Sequence, residues 1–214
     1  MSHTRIKICG ITHPDDARAA CAEGADAIGL VFYKASSRAV SPQQAVKIAA
    51  AVPPFVQVVA LFVDESVDVV NSVLRQVPVS MLQFHGNECA DYCRQFARPY
   101  LKALRVRPGM DLAASAEAYD DAVGILLDSW QAGVPGGTGK TFDWQCARGG
   151  AGSRPLVLAG GLRADNVARG MNLLRPAAVD VSGGVEREPG RKDTAKIREF
   201  IAAVRAGDHS NNEN

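Results

Sequence analysis

The sequence predicts a single (β/α)8 TIM barrel built on an eight-stranded parallel sheet, and three observations carry that expectation. Short β-branched runs alternate with helical patterns at a spacing of roughly 25 residues, the sign of βα units around a parallel sheet. The alternation gives eight strand candidates and eight helix candidates, whereas an open doubly wound sheet ordinarily has about five or six strands. A length of 214 residues is near the lower end for a complete barrel and long enough for one sizeable core.

The first strand is read at 5–9, followed by a helix at 14–23 that opens on Pro14, a residue suited to a first turn because its missing N–H costs nothing there. Strand 27–32 leads into helix 42–51, which opens in the same way on Pro42. Strands 57–63, 81–84 and 100–104 are followed by helical patterns at 67–76, 88–97 and 112–119. The sixth strand, 124–128, is an apolar run ending in Asp128, and its helix is placed at 144–148. Strand 156–159 precedes helix 164–174, and strand 179–182 precedes helix 193–205, for which Asp193 suits the N-cap. The barrel domain is assigned to 1–206, and the polar stretch 207–214 is read as a disordered tail.

Hydrophobic residues make up 47% and charged residues 22%, which fits neither a disordered nor a fibrous chain. The 24 basic and 23 acidic side chains are mixed along the sequence, so no basic block exists to track a nucleic-acid backbone or anionic lipid. No apolar run approaches the ~20 residues needed to cross a bilayer, and the first residues lack the apolar core of a secretory signal. A cytoplasmic protein with neither nucleic-acid nor membrane partner is therefore expected. The five cysteines, at 9, 21, 89, 93 and 146, lack paired C-x-x-C spacing and are read as reduced thiols. Cys89 and Cys93 lie four apart on a helix, but a tetrahedral site needs further ligands, and no metal is expected.

Active sites of such barrels form at the C-terminal ends of the strands, which selects few polar residues. They are Cys9, Arg38 in the second loop, His85 after strand 4, Asp128, Gly160-Gly161 after strand 7, and Asp180 with Ser182-Gly183-Gly184 at strand 8. Glycines in both of the last two loops let backbone N–H groups approach an anion, and barrels frequently bind phosphate there. On one loop alone such glycines would merely make a turn; on both they point to phosphate. Lys7 and Cys9 share one face of their strand, toward either the barrel interior or the helices, and most buried cysteines are inert packing. Asp128 changes that balance, because a carboxylate closing an apolar strand is costly unless paired or solvated, although strand-end carboxylates can also be structural. The segment Gly136-Gly137-Thr138-Gly139-Lys140-Thr141 is not a nucleotide phosphate loop, since the position five before Gly139 is Val134. It is read as a flap after strand 6, with a plain loop as the alternative.

These residues lie in segments that resemble one family, phosphoribosylanthranilate isomerase of tryptophan biosynthesis. They include Lys7-Ile8-Cys9-Gly10-Ile11-Thr12, Gly24-Ala25-Asp26-Ala27-Ile28-Gly29-Leu30-Val31-Phe32-Tyr33, Ser36-Ser37-Arg38, Leu82-Gln83-Phe84-His85-Gly86 and Leu126-Leu127-Asp128. Further on come the glycine-rich segment with Phe142-Asp143-Trp144, then Leu158-Ala159-Gly160-Gly161-Leu162, Asn166-Val167, Val179-Asp180-Val181-Ser182-Gly183-Gly184-Val185-Glu186 and Pro189-Gly190-Arg191-Lys192-Asp193. The resemblance implies a cofactor-independent Amadori rearrangement of a small phosphorylated sugar derivative, with Cys9 as general base and Asp128 as general acid. It implies that Arg38 holds the anthranilate carboxylate; Asp180 is read as a further substrate contact, and Gln83 and His85 either touch substrate or merely finish strand 4. Where the family more often shows two serines, this chain has Ser182-Gly183, which removes one hydroxyl and keeps the backbone donors. For the roles to hold, Lys7 or strand-end N–H groups should favour the Cys9 thiolate, and the apolar floor at Leu126 and Leu127 should favour a neutral Asp128. Other phosphate-binding barrels share the last two loops, but the histidine-pathway isomerase of this fold resembles a two-carboxylate machine with aspartate on strand 1, so Cys9 separates them. Intact Cys9 and Asp128 likewise argue against a silent sugar-phosphate binder. A monomer is expected, with a homodimer as the alternative.

Overall fold

A computed structural model of the chain describes residues 3–107, 109–129 and 144–212. Eight strands form the predicted closed barrel: β1 Arg5–Cys9, β2 Ala27–Val31, β3 Gln57–Phe62, β4 Met81–Phe84, β5 Tyr100–Val106, β6 Gly124–Ser129, β7 Leu156–Leu158 and β8 Ala178–Val181. Each pairs in parallel with its sequence neighbours, and β1 closes the sheet against β8. Around them run α1 Pro14–Ala22, α2 Pro42–Ala49, α3 Val67–Gln76, α4 Ala90–Arg94, α5 Leu112–Glu117, α6 Val167–Leu174 and α7 Thr194–Asn212.

Helix starts follow local chemistry. Pro14 and Pro42 occupy first turns, and Ser41 with Gln44 forms a reciprocal capping box that satisfies two otherwise orphaned N–H groups. Asp193 accepts from the N–H groups of Ala195 and Lys196 at 2.9 and 3.2 Å, as its predicted capping role requires. The helix expected at 144–148 is instead a 3-10 turn, Trp144–Ala147. The chain meets Gly149 there at φ +71°, a left-handed conformation that ends helical propagation. A feature the alternation could not show is an antiparallel ribbon after β8, made of β9 Glu186–Glu188 and β10 Arg191–Lys192. Its strands are too short to give a period-two signal.

Two apolar layers result from the strand period of two. Ile6, Ile8, Ile28, Leu30, Phe62, Phe84, Ile125, Leu127 and Val179 face outward into the core under the helices. Leu101, Ala103, Leu126, Val157 and Ala159 fill the barrel interior, with a smaller cluster of Cys9, Val31 and Leu61 nearer the mouth. Inward parity therefore belongs to Lys7 and Cys9 on β1 and to Asp128 on β6, which resolves the orientation that the sequence left open.

The polar C-terminal stretch is not a tail over its described length, because α7 continues through residue 212. The reason is a tether to the N-terminus. Asp208 accepts from the Thr4 N–H at 3.1 Å and from its hydroxyl at 2.6 Å, while Arg205 donates to the Thr4 carbonyl at 2.7 Å. Residues 213 and 214 lie outside the described residues. Asp208→Ala should lower stability by about 1–3 kcal/mol, as expected for lost hydrogen bonds to a charged group. Thermal unfolding should then show a lower midpoint; an unchanged midpoint would mean that this end of α7 is not held by Thr4.

Candidate active site

The C-terminal mouth of the barrel forms one pocket lined by Cys9, Arg38, Gln83, His85, Asp128, Gly160, Gly161, Asp180, Ser182, Gly183 and Gly184. Every site residue selected from the sequence thus converges there. Tyr33, Ser36 and Leu162 also line it and were not selected as site residues; their place in the segments that carry the resemblance was the available signal.

At the β1 side, the register between β1 and β8 sets Lys7 opposite Asp180. Their side chains meet inside the barrel at 2.9 Å, with exposures of only 5% and 7%. Cys9 stands one inward step further up β1, opposite Gly29 of β2. A Cβ on Gly29 would come within 2.7 Å of the Cys9 sulfur and 3.1 Å of Lys7 Cε, so the missing side chain makes room for both groups. Burial works against the Lys7 ammonium, but Asp180 and Cys9 outweigh it and hold the group above its ordinary value. For Cys9 the balance corrects the sequence expectation. Burial pushes the thiol up and outweighs the opposing pull of the Lys7 charge, and the nearby Asp180 charge adds a lesser upward push.

Across the mouth, Asp128 lies 4% exposed near the end of β6. Its Oδ1 accepts the Ser129 N–H at 2.7 Å, and its Oδ2 faces His85 Nε2 at 3.0 Å. The other His85 nitrogen, Nδ1, faces the Gln83 amide at 2.9 Å, forming a buried row of three side chains. Gln83 and His85 therefore brace the carboxylate as well as lining the pocket. The His85 backbone is itself held, its N–H donating to Phe62 at 2.9 Å and its carbonyl accepting from Arg105 at 2.7 Å. The next residue is fixed by a buried ion pair: Glu88 accepts from the Gly86 N–H at 2.9 Å and from Lys102 at 2.7 Å, and Lys102 also donates to the Gly86 carbonyl at 2.8 Å.

Between these two sides lie the glycine loops. Gly160 and Gly161 take φ values of +82° and +64°, which L side chains rarely adopt, and a Cβ on Gly184 would sit 1.9 Å from the Leu162 carbonyl oxygen. Backbone from both loops is thus brought closer than side chains allow. Asn166 shapes the first loop by donating to the Gly161 carbonyl at 2.9 Å and accepting from the Arg163 N–H at 2.8 Å. The Ser182 hydroxyl is buried without a hydrogen-bond partner among the described residues, and so is Gln83 Oε1. A buried polar atom at a pocket wall with no partner is costly, and a polar ligand satisfies it.

Arg38 reaches the mouth over Gly10, where a Cβ would come within 2.5 Å of its Cδ. It makes a two-bond fork to Glu186, Nε to Oε1 and Nη2 to Oε2, both at 2.7 Å, and Lys192 adds a bond to Oε1 at 2.8 Å. Burial opposes the Glu186 charge, but the Arg38 hydrogen bonds and the Lys192 charge outweigh it and hold the carboxylate below its ordinary range. Burial pulls the Lys192 ammonium below its ordinary value. Glu186 and Lys192 were not selected from the sequence; the charged residues flanking the Pro189-Gly190 turn signal were the available clue. The glycine-rich segment 136–141 lies outside the described residues. Among the described residues, no group of three or more His, Cys, Asp or Glu side chains is arranged to hold a metal ion, and no helix is long and apolar enough to cross a membrane.

A model of the N-(5'-phosphoribosyl)anthranilate (PRA) isomerase family matches residues 6–203. An N-(5'-phosphoribosyl)anthranilate isomerase from Pseudomonas fluorescens is 56% identical over 210 residues, covering 98% of this chain and 100% of that protein. The crystal structure of phosphoribosyl anthranilate isomerase from Thermotoga maritima is similar at a TM-score of 0.86 and 39% identity, over 95% of this chain and 99% of that one. A second structure, a phosphoribosyl anthranilate isomerase in complex with reduced 1-(o-carboxyphenylamino)-1-deoxyribulose 5-phosphate, is similar at a TM-score of 0.83 and 38% identity, with coverage of 95% and 99%.

The buried thiol has a measurable consequence. Because the Cys9 thiol sits above its ordinary value, its thiolate fraction is small at neutral pH and grows as pH rises. Carbamidomethylation of Cys9, followed by peptide mass spectrometry on folded protein, should therefore speed up continuously from pH 7 to pH 9. A rate already at its plateau at pH 7 would contradict the burial argument.

Proposed function

The chain belongs to the N-(5'-phosphoribosyl)anthranilate isomerase family, and on that premise we propose that its barrel mouth performs the Amadori rearrangement with Cys9 as general base and Asp128 as general acid. The reaction is a step of tryptophan biosynthesis that turns N-(5-phosphoribosyl)anthranilate into 1-(o-carboxyphenylamino)-1-deoxyribulose 5-phosphate. The observation that carries the residue assignment is the placement of the Cys9 thiol and the Asp128 carboxyl in the same pocket, with two glycine loops beside them.

Asp128 delivers a proton to the ribose ring oxygen as the C1–O bond breaks, and the anthranilate nitrogen supplies the electron pair that makes C1 an iminium carbon. Cys9, as thiolate, then removes the proton from C2, and the released pair neutralises the iminium and leaves an enolamine. Ketonisation of that enolamine, with a proton added at C1, gives the product. One acid and one base meet the proton demand of ring opening and C2 abstraction. The phosphate is assigned to the backbone N–H groups around Gly160, Gly161, Gly183 and Gly184 and to the Ser182 hydroxyl, which has no hydrogen-bond partner among the described residues. The departure at Gly183 costs one hydroxyl and keeps the backbone donors.

Arg38 is assigned to the anthranilate carboxylate, a planar anion suited to a guanidinium edge. Asp180 serves chiefly by pairing with Lys7 beneath Cys9, while Gln83 and His85 hold Asp128 in its place. All these groups come from one chain, so a monomer suffices for the chemistry. The substrate is a phosphorylated anion, and a charged molecule of that kind stays in the compartment that holds it, which supports a cytoplasmic reaction.

The anthranilate fluorescence of freshly made substrate should decay faster with the protein than without it. Cys9→Ala and Asp128→Asn should each lower turnover by ~10²-fold or more with the fold intact by circular dichroism. A folded variant with undiminished turnover would remove its residue from the mechanism.

A further inference from the structure

The ribbon β9–β10 takes no part in the barrel, yet it places two charged side chains at the mouth. Glu186 and Lys192 stand opposite each other in its register, and the intervening turn passes through Gly190 at φ +83°. The ribbon is fixed from several sides. Lys196 of α7 donates to the Glu186 carbonyl at 2.7 Å, and Asp16 of α1 accepts the Lys192 N–H at 3.1 Å. The Asp193 N–H donates to the Val185 carbonyl at 2.9 Å. Glu186 is thus a carboxylate on a rigid support, with its side chain 6% exposed.

That carboxylate receives Arg38 through the Nε and Nη2 edge. A guanidinium carries five donors in a plane, so this fork leaves the second edge, made of Nη1 and the remaining Nη2 hydrogen, for another planar anion. Two cations and one carboxylate form the cluster, leaving one positive charge in surplus. Lys192, with its side chain 1% exposed, also donates to the Ser182 carbonyl at 3.2 Å. The chain of contacts therefore runs from Arg38 through Glu186 and Lys192 to the loop that carries Ser182-Gly183-Gly184. An arginine on a loop would otherwise lose rotamer freedom on binding; one already locked has lost it before the ligand arrives.

We propose that Glu186 and Lys192 are positioning residues that preset the Arg38 guanidinium, so that its free edge receives the substrate carboxylate in register with the phosphate seat. The proposal rests on the assignment of Arg38 to the anthranilate carboxylate. It separates two tasks: Arg38 touches substrate, whereas Glu186 and Lys192 act only through it and through the Ser182 carbonyl.

A double-mutant cycle on substrate turnover tests this. Glu186→Gln should raise KM about tenfold, as expected for a weakened charge-assisted fork, with kcat within about threefold of the parent. In the Arg38→Ala background the same substitution should change KM little, because the residue through which it acts is gone. Because Glu186→Gln leaves Lys192 buried with no carboxylate partner, a Glu186→Gln/Lys192→Met protein is measured as well, with its melting curve; folded, it should keep the raised KM. Raised KM values that multiply between Glu186→Gln and Arg38→Ala would overturn the positioning role alone, and so would a parental KM in the folded Glu186→Gln/Lys192→Met protein. An unchanged KM in Arg38→Ala would remove the carboxylate assignment and the proposal with it.

Discussion

The closure of the sheet between β1 and β8 is the constraint on which the site depends. In that register Lys7 faces Asp180 inside the barrel, and a buried ion pair tolerates no loss of either partner because the remaining charge would be stranded in a low-dielectric interior. One inward step above the pair stand Cys9 on β1 and Ser182 beyond β8. A slip of one residue in either strand would turn these groups toward the helices and bring Ile6, Ile8 or Val179 into the barrel. The pair therefore specifies register as well as charge, and the thiol inherits its position from it.

The same burial sets the character of Cys9 as the proposed base. A thiol pushed above its ordinary value is rarely ionised at neutral pH, but its thiolate is a stronger base when formed, and general-base catalysis depends on the product of the two. Lys7 limits the penalty without removing it. On the opposite wall the solution differs: Asp128 is held by a backbone N–H and by the His85 ring, which is braced in turn by Gln83. The two groups of the proposed proton traffic thus sit in unlike surroundings within one pocket, and the glycine loops between them supply backbone donors where side chains would collide.

Much of this was legible in the chain. Strand alternation gave all eight strands of the barrel, and the rule that chemistry gathers at strand ends selected residues that converge on one mouth. The strand period put Lys7 and Cys9 on one face but could not say which face, because that depends on closure with a strand over 160 residues away. The thiol's direction was misjudged for a related reason: a neighbouring lysine is visible in sequence, whereas its capture by Asp180 and the depth of burial are tertiary facts. Glu186 and Lys192 escaped because a ribbon of three and two residues leaves no periodic trace. The helical end at 207–212 was hidden by its polar composition, since its anchor, the hydrogen bonds of Asp208 and Arg205 to Thr4, is a tertiary contact with the first strand's flank.

The most direct measurement is a crystal structure of this chain with the reduced product analogue bound. The account predicts the Cys9 sulfur and the Asp128 carboxylate on opposite sides of the sugar chain, each within about 3–3.5 Å of the carbon or oxygen it serves, with the phosphate on the amides of Gly160–Gly161 and Gly183–Gly184. A phosphate seated elsewhere, or a sugar chain that contacts only one of the two groups, would contradict it.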